Sequence, residues 1–192
     1  YAKTFASRGA DAVLARFVHF WQLAQSDPDA PLVARPLGRC QRTETVFLAP
    51  ASGVPLLQAL VGGSRRRHLE ALAGALARVH AAPIGLARTQ APRSLRHWLD
   101  EIARRHKKLG RIAPHQLALA DELVTAIRED AAGLSDRALC LIHADLHHDQ
   151  VWVDGARIVL FDFDEMTIGD PMEDLACFTV RLEHLGVPAA LG

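Results

Sequence analysis

The stretch from Cys140 to Ala176, CLIHADLHHDQVWVDGARIVLFDFDEMTIGDPMEDLA, decides how this chain is read. It sets acids and imidazoles between strongly apolar runs. Leu139 to Ile142, Val151 to Val153 and Ile158 to Phe161 are three such runs, and Asp154-Gly155 supplies the turn chemistry that joins the last two as a hairpin. Counting outward from that turn puts Gln150 opposite Phe161 and Asp162. Paired strands lie about 4.8 Å apart, so an amide oxygen and a carboxylate share the open mouth of the hairpin. That is a seat for a hard cation.

The loop that feeds the hairpin carries His143, Asp145, His147, His148 and Asp149, and Asp145 brings a second carboxylate to the same mouth. Magnesium takes oxygen ligands and keeps several waters, which leaves room for phosphates. A neighbouring carboxylate that does not bind metal can orient an attacking hydroxyl and take its proton. Asp145 is followed by four residues and then Gln150, the D-x-x-x-x-N spacing of a kinase catalytic loop with Gln in place of Asn. Asp162 follows after one hairpin, where the metal-binding Asp of a D-F-G motif would sit.

Three groups of residues then resemble the motifs of the aminoglycoside phosphotransferase family, the small-molecule kinases of the protein-kinase-like fold. His143-Ala144-Asp145 matches its H-G-D, and Asp162-Phe163-Asp164 its D-F-[DEG]. Gly169-Asp170-Pro171 with Asp174-Leu175-Ala176 matches its G-D-P-x-x-D-L-A. Their order and separation make the match specific, where any one alone would be weak. The resemblance implies ATP and Mg2+ as cofactors, Asp145 as catalytic base, Gln150 and Asp162 as metal ligands, His143 as a brace and Asp174 as a tie on the catalytic loop. Gln150 departs from the family's Asn but offers the same carbonyl oxygen on a longer arm.

Plainer roles compete for several of these residues. Asp170, Pro171 and Glu173 read as the start of a helix, with capping the role of Asp170 and Glu173. Asp174 falls in the first turn, where an acid favours the helix dipole. His147 and His148 read as solvent-facing loop residues and Asp149 as a solvated acid. Asp164 is either a second metal contact or a turn acid. For Asp145 and Asp162 a functional role outweighs the alternative, because two carboxylates flanked by apolar strands repel unless a cation or a proton relieves them.

The 192 residues carry 22 basic and 22 acidic side chains, so no bulk field recruits nucleic acid or an anionic membrane. Three cysteines, Cys40, Cys140 and Cys177, are odd in number and far apart, which argues for a reducing, cytoplasmic setting. Cys140 and Cys177 read as core residues rather than nucleophiles. No signal-peptide pattern and no run long enough to span a bilayer stands out.

Outside the quoted stretch the pattern predicts an α+β fold. Tyr1 to Phe5 alternates as a strand, Ala10 to Ala24 places Leu14, Phe17, Val18 and Trp21 on one helical face, and Thr45 to Leu48 is a further strand. Ala49 to Pro55 reads as a linker. Helices follow: one capped by Ser64 and ending near Pro83, one with Leu95, Trp98, Leu99 and Ile102, and one from Pro114 with Leu117, Ala120, Leu123 and Ile127. This is the order of a kinase fold without its first two strands. It divides the chain into a partial nucleotide-side lobe (1–48), a hinge (49–56) and a helical catalytic lobe (57–192). The expectation is a fragment, since no strand precedes Lys3 to carry a phosphate-covering glycine loop, Gly62-Gly63 cannot substitute, and the chain stops soon after Leu182.

By the same resemblance Lys3 pairs with nucleotide phosphates and is held by Asp11 on the next helix, and the backbone from Phe47 to Ala49 meets the adenine. His80, in a sequence like the family's L-H-x-x-P, reads as structural. The expected activity is ATP-dependent phosphorylation of a hydroxyl on an aminoglycoside, sugar or amino alcohol, with no nucleic acid or membrane partner. Two other classes compete. One is a metal-dependent hydrolase built on His143, Asp145, His147 and His148, the other an inactive nucleotide-binding module.

Overall fold

The computed structural model describes residues 1–5, 9–61, 64–87, 91–134 and 137–185; Gly62-Gly63 lies outside them. Its elements run β1 (Ala2–Thr4), α1 (Ala10–Ser26), β2 (Pro36–Cys40), β3 (Thr45–Leu48), β4 (Val54–Pro55) and the single-turn α2 (Leu56–Ala59). Then come α3 (Arg65–His80), α4 (Leu95–Ile112), α5 (Leu117–Ala132), β5 (Cys140–Ile142), β6 (Val151–Asp154), β7 (Arg157–Leu160), β8 (Thr167–Gly169) and α6 (Met172–His184). The fold mixes helix and sheet as expected. Strands β2, β4 and β8 are additional; each is short and lacks the alternation that marks a strand in sequence.

Among the described residues three small antiparallel sheets form: β1-β3-β2, β4-β6-β7 and β5-β8. In the hairpin Val151 pairs with Leu160 and Asp154 with Arg157. The two loop residues are therefore Gly155 and Ala156, with Gly155 at φ 62 supplying the positive angle that a tight hairpin turn requires at its first position. Gly53 sits at φ 109 where an added Cβ would stand 2.6 Å from the Val153 carbonyl oxygen, so only glycine lets the expected linker run against the hairpin. Leu32 lies parallel to Val159 on the other side of β7, donating to the Ile158 carbonyl and accepting from the Leu160 amide. The segment 1–48 thus contributes directly to the sheet of the hairpin.

One continuous apolar core joins these parts. It runs from Val13, Phe17 and Phe20 of α1 through Val46 and Leu48 of β3 to Leu76, Leu160, Phe163 and Phe178. The α3 helix buries Leu72, Ala75, Leu76 and Val79, which share one helical face, while Ser64, expected to cap it, makes no side-chain cap. The α5 helix differs from expectation. Leu123, placed on its core face by periodicity, is 60% exposed, because α5 packs chiefly on α4 and one neighbour covers only a narrow stripe. Among the described residues no helix is long and apolar enough to cross a membrane.

Candidate active site

Two loops meet at the open end of the β6–β7 hairpin. The first follows β5 and carries His143, Ala144 and Asp145. It is pinned from α6 by Asp174, which is fully buried and accepts from the His143 amide at 2.9 Å and the Ala144 amide at 2.8 Å. His80 at the end of α3 contributes a third contact, Nε2 to Asp174 Oδ2 at 2.9 Å. Burial alone would raise the Asp174 pKa, but His80 and the two amides outweigh it and hold the carboxyl below the ordinary range. His143 is itself buried, with Nε2 2.8 Å from the Phe161 carbonyl oxygen, so it spans from one loop to the other. Ala144 is drawn to φ 68, a left-handed conformation that L residues resist.

The second loop leaves β7 at Phe161 and turns through Asp162, Phe163 and Asp164. The Phe161 amide donates to the Gln150 carbonyl at 3.0 Å, the register set by the Gly155-Ala156 loop. Phe163 is fully buried, with its ring 5.1 Å from that of Phe17 and 5.2 Å from that of Phe20. This apolar seat leaves the flanking acids facing the other way. Lys3 Nζ lies 2.7 Å from Asp162 Oδ1 and 2.7 Å from Asp164 Oδ2. Burial opposes the lysine charge, but the two carboxylates outweigh it and raise its pKa. For Asp162 burial is outweighed by Lys3 and the pKa falls, whereas for Asp164 burial and the charge of Asp162 prevail and it rises.

Lys3, Asp162, Asp164 and Gln150 line one cavity of 170 Å³, closed by Tyr1, Phe17 and Phe161. Its donor set suits a hard divalent cation: an amide side chain and two carboxylates, one of which has a buried oxygen, Asp164 Oδ1, with no hydrogen-bond partner among the described residues. Asp145 does not line this cavity. It stands beyond His147, whose Nε2 is 3.9 Å from Asp145 Oδ2 and 3.4 Å from the Gln150 amide nitrogen, and it faces Arg181 across 3.8 Å. From Ala144, the neighbour of Asp145, a second cavity of 860 Å³ opens between α4 and α6, walled by Leu95, Trp98, Met172 and Val180. Cys177 also lines it, and burial pushes that thiol up, as it does Cys140, which suits neither for nucleophilic attack.

Several expectations need correction. Asp11 is not the partner of Lys3; it pairs with Arg39 at 2.6 Å, because the first turn of α1 faces β2. The Ala49 amide, expected to meet adenine, donates to the Arg35 carbonyl at 2.9 Å, while Phe47 is held in β3 between Ala2 and Gly38. Glu173 does not cap α6: its two oxygens accept from Arg93 at 2.7 Å and Trp98 at 3.0 Å. Asp170 does serve the helix start, accepting from the Met172 amide at 2.9 Å. His147 and His148 are not solvent-facing, each side chain being 14% exposed. They bring ligand atoms within 4.8 Å of one another together with Asp149, a group that includes neither His143 nor Asp145. The four residues of the hydrolase reading are therefore not gathered as one set.

Arg16 is the residue whose place the sequence reading missed. It is fully buried and donates to the carbonyl oxygens of Leu86, Phe163, Asp164 and Met166. Its signal was present, since Arg16 falls on the helical face of Val13, Phe17, Phe20 and Ala24.

A family model described as the phosphotransferase enzyme family matches residues 2–190. The chain belongs to that family. No curated protein sequence gives a significant match. Among solved structures the chain is similar to a thermostable mutant of aminoglycoside phosphotransferase APH(4)-Ia in complex with ADP and hygromycin B, at 18% identity and a TM-score of 0.63 over 92% of this chain. It is likewise similar to a choline/ethanolamine kinase family protein from Mesorhizobium loti, at 15% identity and 0.63 over 98% of this chain. AMP-bound spectinomycin phosphotransferase APH(9)-Ia matches at 13% identity and 0.56 over 91% of this chain. The chain spans 62%, 59% and 60% of these three proteins respectively. At such identities the likeness speaks for the fold.

Proposed function

We propose that the protein is an ATP-dependent phosphotransferase that phosphorylates a hydroxyl of a small polar molecule such as an aminoglycoside, sugar or amino alcohol. The observation that carries this reading is the meeting of Lys3, Asp162, Asp164 and Gln150 around one small cavity, with Asp145 on the adjoining loop beside a larger one. The solved neighbours include complexes with ADP and AMP, which supports nucleotide binding. In this reading residues 1–48 form the nucleotide side, 49–56 the hinge, and 57–192 the catalytic side. With the Ala49 amide already donated, the hinge meets the base by contact rather than through that donor.

Asp162 and Gln150, with Asp164 beside them, would hold Mg2+, which when bound neutralises charge on the phosphates. Lys3 is within reach of the same phosphates. Asp145 orients the acceptor hydroxyl and takes its proton as the new oxygen–phosphorus bond forms and the bond to the departing ADP breaks. Positioning and charge neutralisation account for most of the acceleration. The acceptor occupies the larger cavity, whose walls are largely apolar and whose Glu173 is already spent on Arg93 and Trp98.

The test uses the intact protein, labelled ATP and a panel of alcohols. Asp145→Asn is expected to lower turnover of the best acceptor by about 10²- to 10⁴-fold, the range of general-base catalysis, with nucleotide binding retained. Undiminished turnover in Asp145→Asn removes the base from the mechanism.

A further inference from the structure

We propose that Arg16 is a positioning residue that holds Asp162 and Asp164 in metal-binding orientation through the backbone of their turn. This rests on the phosphotransfer reading above. In the sequence-derived scheme the helix after β1 reaches the site through an acid on Lys3, but Asp11 points elsewhere and Lys3 is taken by the turn's own acids. The connection from α1 runs instead through Arg16. Its Nε donates to the Leu86 carbonyl at 2.7 Å, Nη1 to Phe163 at 2.5 Å and Asp164 at 2.9 Å, and Nη2 to Met166 at 3.3 Å.

Three of those acceptors belong to one short turn and its exit. A guanidinium carries its donors in a rigid planar fork, so the positions of Phe163, Asp164 and Met166 carbonyls are fixed relative to one another and to α1. Asp162 enters the turn at φ 57, a left-handed conformation uncommon for residues other than glycine, though aspartate tolerates it better than most. With the next carbonyls drawn inward to Arg16 and the Phe163 ring seated between Phe17 and Phe20, the carboxylates of Asp162 and Asp164 turn outward together onto Lys3. A lysine at position 16 keeps the charge but offers donors from a single point, and cannot span this set of acceptors.

The experiment titrates the intact protein with Mn2+, following free ion by electron paramagnetic resonance, for wild type, Arg16→Lys and Arg16→Met. Arg157→Met serves as control, because Arg157 also binds only carbonyls among its described hydrogen bonds, those of Ala24, Asp27 and Ala30, at the far end of the hairpin. Both Arg16 variants are expected to weaken Mn2+ binding by about 10- to 100-fold, the usual cost of losing a group that orients metal ligands. Arg16→Lys is the milder, Arg157→Met keeps wild-type affinity, and the alcohol KM is unchanged in all. If Arg16→Met does not fold, as judged by circular dichroism, Arg16→Lys decides. Wild-type affinity in folded Arg16→Lys, or equal weakening in Arg157→Met, overturns the assignment. Wild-type protein that binds neither Mn2+ nor nucleotide overturns the phosphotransfer reading along with it.

Discussion

Loop 143–150 and turn 161–166 each present acids to the same corner of the molecule, and each is fixed through its backbone by a fully buried charge. For the first loop the charge is the Asp174 carboxylate of α6, which collects amide hydrogens. For the second it is the Arg16 guanidinium of α1, which collects carbonyl oxygens. The means are complementary, but the consequences differ. A carboxylate titrates and a guanidinium in a protein does not, so the two loops respond differently to acid. The second loop has in addition an apolar anchor, the Phe163 ring against Phe17 and Phe20, so its placement does not depend on charge alone.

Removing that ring tests the apolar half of the contrast and carries the largest expected effect. Phe163→Ala deletes a completely buried aromatic side chain, and such deletions cost about 3–5 kcal/mol. Urea denaturation monitored by far-ultraviolet circular dichroism reads the loss. A cost near that of an exposed substitution, within about 0.5 kcal/mol, means that the second turn is held by Arg16 alone.

Asp174→Asn tests the electrostatic half. The asparagine retains one acceptor oxygen where two amides and His80 need partners, and each unsatisfied buried donor costs about 1–3 kcal/mol; a loss of about 2 kcal/mol is expected near neutral pH. The pH dependence follows from the lowered pKa of Asp174. A carboxyl with a depressed folded-state pKa contributes stability that is present above its unfolded value, about 3.9, and disappears as pH falls through the folded value. The stability difference between wild type and Asp174→Asn should therefore be constant above about pH 5 and shrink below about pH 4. Taking the difference removes Asp162 and Asp164, whose pKa values move in opposite directions. A difference that persists undiminished in acid breaks the contrast between the two loops.

What the sequence revealed and what it hid divide along physical lines. Gln150 does lie across from Phe161, but the loop residues are Gly155 and Ala156 where Asp154-Gly155 was the apparent turn, so the apolar runs on either side located the pairing better than the turn dipeptide did. The company kept by Lys3 was not legible, since Asp11 and Asp162 are equally reasonable partners until the first turn of α1 is known to face β2. Glu173 was misread for a similar reason: its place in the first helical turn suits a cap, but Arg93, 80 positions away, takes its carboxylate. Arg16 escaped notice because arginine in a helix is ordinarily a surface residue. A cation on an otherwise apolar face was the available signal. Local chemistry fixes local geometry, whereas pairings across the chain depend on packing that no single segment encodes.

The smallest effect expected concerns Ala144, which sits at φ 68 where the family motif has glycine. A left-handed alanine costs about 1–2 kcal/mol relative to glycine in that conformation, from the approach of Cβ to the following carbonyl. The added freedom of glycine in the unfolded chain offsets about 0.4–1 kcal/mol of this, so Ala144→Gly should stabilise the protein by up to about 1.5 kcal/mol, or about 3–6 °C in melting temperature. The strain is imposed by Asp174, which holds two successive amides on one carboxylate. In the Asp174→Asn background the grip loosens and the backbone can relax, so the same glycine should gain less. Four melting curves, wild type, the two single variants and the double, measure this coupling. Equal gains in both backgrounds mean that Ala144 owes its conformation to the strand leading into it, and that the loop is not held by α6 in the way the second loop is held by α1.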